Sequence, residues 1–261
     1  MTTAHPHALP IWPTLAAAYR EWRRMLPVLR PLVINAFLIV VAISALDEFI
    51  PAKLSEPELS GTIITLVEAA LRALLLAPIV AAIHRFIILE EITKAYALPL
   101  GEAGFRRFFA WLFVIELLGG LPIDFLGLMQ ALNVSVIAST VAFVVAIIAA
   151  FVLMLRLSIL PPAIAVGAPG ARPAQALADT KGYVLRILVI FVLALIPWLT
   201  AGLAGIALIG RGIEVRGSLS AMIGLLLGGV MQTASLTLMA VIASLLFIAL
   251  AVQVRRPGGG K

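Results

Sequence analysis

Four of the ionisable residues in the long apolar runs of this chain are where chemistry would be sought first. They are Glu68 and Arg72, four apart, and Glu116 and Asp124, eight apart. Charges in hydrocarbon are costly and are kept for ion pairs, relays or binding. Residues four apart on a helix share a face, so Glu68 can bracket the Arg72 guanidinium. At ~1.5 Å per residue Arg72 stands about 8 Å outward of the middle of its run, and Asp124 reaches nearly the same depth on the next. An Arg72–Asp124 pair flanked by Glu68 leaves none of the three alone. The set reads as a clamp between neighbouring helices; a proton or substrate relay, and snorkelling of Arg72 to the outer surface, are the competing readings. Glu116 has no basic residue at its own depth. In its neutral form it can donate to a carbonyl or polar group on another helix, and it is also a candidate site for a proton, an ion or a lipid headgroup. Glu116 and Asp124 lie about 12 Å apart along one helix, too far to act as a carboxylate pair.

The motifs of catalysis are missing. His5 and His7 precede the first apolar run, and His84, alone near the end of the second, reads as a boundary residue. There is no HExxH, no GxSxG and no P-loop. With no cysteine, disulfides, thiolate metal sites and a cysteine nucleophile are excluded. Glu90-Glu91 resembles the paired glutamates of some intramembrane proteases, but Ala95 stands where their arginine is expected. The expectation is a protein that is not an enzyme, with no catalytic, cofactor-binding or metal-ligating set.

The elements that must position these residues are helices in a bilayer. The 261 residues are 62% hydrophobic and 12% charged, with a mean hydropathy of +1.13; soluble domains are roughly half apolar and about one quarter charged. A helix needs about 20 residues to cross ~30 Å of hydrocarbon. Six runs reach or approach that length: 32–46, 67–89, 108–132, 135–156, 184–209 and 219–252. They are continuous and do not alternate with period two, so a barrel is not expected. The first run ends in small residues as a signal peptide does, but the segment ahead of it is too long for an ordinary n-region, and an uncleaved helix is expected. Ser135 is placed to cap the fourth run. Gly119, Gly120 and Pro122 should bend or loosen the third.

Six crossings put fifteen of the nineteen Lys and Arg residues on one side: Arg20, Arg23, Arg24, Arg30, Arg85, Lys94, Arg106, Arg107, Arg156, Arg172, Lys181, Arg186, Arg255, Arg256 and Lys261. Lys53, Arg211 and Arg216 lie on the other side, and Arg72 is within a run. Cationic loops are retained in the cytoplasm, so both termini are expected there, in a bacterial inner membrane. The net charge is +6, but no soluble stretch is long enough for a basic groove, which argues against nucleic acid. Anionic lipid headgroups are the expected partners, together with a membrane protein docked on the positive face.

Three similar segments precede runs one, three and five, at 14–26, 99–112 and 173–185. Each opens with small residues and then brings aromatic and basic groups to the membrane edge, where their apolar stems and polar heads suit the headgroup boundary. The chain therefore reads as one integral domain of three units, 9–90, 98–160 and 171–256, each an in-plane amphipathic helix followed by a transmembrane hairpin. Ala201 and Gly205 on the fifth run, and Gly224 and Gly228 on the sixth, have the spacing that permits close helix approach.

The stretch Arg156-Leu157-Ser158-Ile159-Leu160-Pro161-Pro162-Ala163-Ile164-Ala165-Val166 leads through a Gly/Pro turn to Ala176, Ala178, Thr180-Lys181-Gly182 and Arg186. It resembles a segment of bacterial six-helix membrane proteins akin to the membrane domain attached to glycerophosphoryl diester phosphodiesterases, a group with many free-standing members of unknown function. The resemblance implies a fold and a location, and no enzymatic activity. The residues make sense without it. Arg156 ends the fourth helix at phosphate level, Pro161-Pro162 stop the helix, and Pro173 suits the first turn of an in-plane helix.

Overall fold

The computed structural model describes residues 9–49, 59–131, 134–212 and 218–255, with side chains over 9–46, 65–119, 134–205 and 222–255. Among these every regular element is a helix: α1 (Ile11–Val28), α2 (Arg30–Phe49), α3 (Leu59–Leu89), α4 (Ala103–Ala131), α5 (Val136–Leu157), α6 (Leu160–Ala165), α7 (Pro173–Asp179), α8 (Val184–Gly212) and α9 (Ser218–Leu250). By length and apolarity four stretches can cross a membrane: 65–89, 136–165, 184–205 and 222–250. The bent pair α1–α2 raises that to five if it is one broken span. For α4 the side chains are described only as far as Gly119.

Local sequence explains most of the breaks. Pro31 has no N–H to return to the carbonyl of Pro27, so the ladder fails there and α1 meets α2 at 95°. Leu29 at the corner is fully buried, and its N–H closes α1 on Met25 O at 2.9 Å. Ser135 caps α5, its Oγ accepting from Ala138 N–H at 3.3 Å. Pro173 occupies the first turn of α7. Two expectations need correction. The prolines Pro161 and Pro162 do not simply stop a helix; they open α6, a further turn whose Leu160, Pro161, Pro162, Ala163 and Ile164 are all buried. The segment 99–112 forms no separate in-plane helix, because nothing after Gly104 interrupts the backbone and α4 runs unbroken from Ala103. Arg106 N–H already bonds Glu102 O at 3.0 Å, so the helical ladder begins at that step.

Helix α9 is the axis of the bundle. It packs against α1, α2, α3, α6 and α8, and most of its apolar length is buried, whereas α5 is largely exposed. Leu238, Ile242 and Leu246 of α9 are fully buried, as are Ile79 and Ile83 of α3. In lipid, apolar burial drives helix association only weakly, so interhelical hydrogen bonds and tight fit decide the packing. Three such bonds tie the core. Trp22 Nε1 donates to Thr237 Oγ1 at 2.9 Å, Tyr19 Oη to Ala194 O at 2.8 Å, and His84 Nδ1 meets Ser244 Oγ at 2.8 Å. His84 is thus an interior residue, 2% exposed, and no boundary residue; its partner lies 160 positions away in sequence.

Candidate functional site

The polar residues of the apolar layer gather on one side of the bundle, between α3, α4 and α5. Arg72 Nη2 donates to Glu68 Oε1 at 2.7 Å across one helical turn, with both side chains about a quarter exposed, at 21% and 31%. Glu116 on α4 lines the same cleft, of about 310 Å³, together with Thr65, Ala69, Ile115, Gly119 and Met154. The guanidinium of Arg72 and the carboxylate of Glu68 act electrostatically on Glu116. Glu116 therefore has a basic neighbour after all. The sequence reading placed it alone because depth was counted from run midpoints, whereas α3 begins at Leu59 and brings Arg72 level with it. Asp124 is within α4, but its side chain lies outside the described residues. So do those of Gly120 and Pro122; the backbone stays helical from Ala103 through Ala131. Two carboxylates against one guanidinium can clamp α3 to α4, or hold a proton or a cation.

A second polar region closes the end of the bundle where α3 and α9 finish and α4, α7 and α8 begin. Arg156, in the last turn of α5, donates through Nη2 to Leu177 O at 2.6 Å. Its own carbonyl accepts from the buried Thr180 Oγ1 at 2.9 Å. The guanidinium is bonded to α7, and its buried Nε has no partner among the described residues. Arg107 Nη2 bonds Ala171 O, and Arg85 bonds Ala165 O at 3.0 Å and pairs with Glu91 at 2.5 Å. Asp179 accepts the N–H groups of Val252, Gln253 and Val254, each at 3.0 Å. Gly170 N–H bonds Val254 O at 3.0 Å. The segment 156–186 is thus the stitched floor of the fold. Sequence reasoning missed Asp179, since a carboxylate serving the backbone of a distant tail leaves no local signal.

Small residues do different work from what their spacing implies. A Cβ on Gly205 would stand 2.4 Å from Leu227 Cδ2, so α8 and α9 do approach closely there. Ala201, one turn earlier, is exposed. Gly224 and Gly228 face open space. The close approach in that stretch is at Gly229, where a Cβ would meet Val41 Cγ2 at 2.4 Å and Phe37 Cε2 at 3.1 Å. Among the described residues no three His, Asp or Glu side chains are grouped so as to hold a metal ion. The chain matches no known protein family, and no curated protein or solved structure is similar to it.

Proposed function

We propose that this chain is a non-enzymatic, lipid-associated accessory or scaffold of the bacterial cytoplasmic membrane. In this reading α2, α3, α4, α5, α8 and α9 are six spans forming three hairpins, and both termini are cytoplasmic. The stitched end of the bundle is the cytoplasmic face, as the excess of cations there requires. It offers anionic lipid, and a partner membrane protein, a positive surface. The resemblance of 156–186 to the membrane domain attached to glycerophosphoryl diester phosphodiesterases belongs to this proposal. One observation carries it: Arg156, Thr180 and Asp179 at that end are engaged with backbone groups of α7, α5 and the tail, the work of side chains that hold a fold closed.

A second reading, a small transporter or channel component, draws on the cleft shared by Glu68, Arg72 and Glu116, with Asp124 nearby on α4. Proteoliposomes loaded with a pH-sensitive dye distinguish the two. The scaffold reading predicts proton and small-cation flux no greater than in empty vesicles. A flux above that level which Glu116→Gln abolishes would overturn it in favour of transport.

A further inference from the structure

We infer that a cavity beside the last turns of α3 and α9, with Arg255 on its wall, binds the phosphate of an anionic phospholipid. The cavity measures about 500 Å³ and is lined by Ile88, the turn 166–169, Phe247, Ile248 and Arg255, a size ordinary for ligand sites. The inference rests on the lipid-associated reading above and names a site and ligand class for it.

Charge selects the occupant. Arg255 is the one ionisable side chain on this wall, and among the described residues no carboxylate pairs with it. Its guanidinium is already oriented: it lies 4.9 Å from the Phe247 ring centre. Nη2 donates to Phe247 O at 3.3 Å and Ile248 O at 3.2 Å, carbonyls in the last turn of α9. These bonds occupy Nη2, the nitrogen common to both guanidinium forks, and leave an N–H of Nη1 to make a single charge-assisted contact with a phosphate oxygen. The remaining wall is apolar side chain and turn backbone, suited to the start of an acyl chain. Ile248, 44% exposed, opens the cavity toward the outside of the bundle.

The neighbouring cavity, about 440 Å³, shares Val166 and Gly167 with this one, but its arginine already faces carboxylates. Its Arg85 is paired with Glu91 at 2.5 Å, and Glu102 stands on the same wall. Gly167 shapes the partition at φ +67°, a torsion that favours glycine. Two adjacent cavities, each with one arginine, thus differ in whether that arginine's charge is already met. Basic pockets between helices at the cytoplasmic edge are where anionic headgroups settle.

The test is native mass spectrometry of the delipidated full chain in detergent. Phosphatidylglycerol and phosphatidylcholine of matched acyl chains are added in equal amounts, and inorganic phosphate in a separate arm. The expected result is one phosphatidylglycerol per chain, retained about tenfold over phosphatidylcholine and not displaced by free phosphate, one charge-assisted contact being ample for that factor. Arg255→Gln should remove the preference, while Arg255→Lys and Arg85→Gln keep it. The lysine variant shows that a loss in the glutamine variant comes from charge and not from misfolding. Equal retention of the two lipids by the wild type, full retention by Arg255→Gln, displacement by phosphate, or equal loss in Arg85→Gln would each overturn the site. None of these results bears on the flux experiment, so failure here is separable from failure of the scaffold reading.

Discussion

Adjacent glycines on α9 should respond to alanine with opposite signs. At Gly229 the added Cβ would stand 2.4 Å from Val41 Cγ2 and 3.1 Å from Phe37 Cε2, both on α2. Valine is β-branched and has little rotameric freedom to withdraw, so α2 and α9 must separate. Overpacking of this kind costs typically 1–3 kcal/mol. Taking about 2 kcal/mol, the thermal midpoint should fall by about 4–8 °C for a chain of this size. At Gly228 a Cβ meets nothing. Alanine there gains its helix propensity over glycine, about 0.8–1.0 kcal/mol, and the midpoint should rise by about 2–4 °C. Gly224→Ala should follow Gly228→Ala, for the same reason. The assay is reversible unfolding in detergent followed by helical circular dichroism. A Val41→Ala background should recover on the order of 1 kcal/mol of the Gly229→Ala loss, since the two sites touch. If Gly228→Ala were the more damaging change, the seam would lie on the GxxxG face and the α2–α9 packing described above would be wrong.

Other expectations concern the stitched end of the bundle. Asp179→Ala removes the acceptor of three tail amides; hydrogen exchange at 252–254 should quicken by about tenfold or more, while α9 keeps its protection. Tyr96, between α3 and α4, donates its hydroxyl to Leu75 O at 3.0 Å, and burial raises its phenol pKa. The folded protein therefore favours the neutral phenol. That contribution is intact below about pH 10 and is lost as pH climbs through the raised folded value. Stability of wild type and Tyr96→Phe, measured across that range, should converge as the pH rises; a constant gap would remove the phenol from the account.

The sequence carried those features whose causes are local. Ser135 marks the cap of α5 and Pro173 the first turn of α7, and Pro27 and Pro31 stand at the break between α1 and α2. Six apolar runs coincide with α2, α3, α4, α5, α8 and α9. Features that depend on how helices rotate and slide against one another were not legible. Gly228 and Gly229 differ by about 100° around α9, and only the position of α2 decides which of them is crowded. His84 gains its meaning from Ser244, and Glu116 gains its neighbours from the register of α3 against α4. The segment 99–112 resembles 14–26 in composition, yet it lacks the paired prolines that separate α1 from α2, and it continues into α4.

The central claim is that Glu68, Arg72 and Glu116 clamp helices within the apolar layer and do not line a water-filled path. The chain has no cysteine, so one can be placed at position 116 and another, as the exposed reference, at Lys94 in the loop after α3. In membrane vesicles of both orientations, a soluble membrane-impermeant maleimide should label position 94 readily. The account predicts that position 116 stays unlabelled from either side. Labelling at 116 as fast as at 94 would contradict it and place water at the clamp.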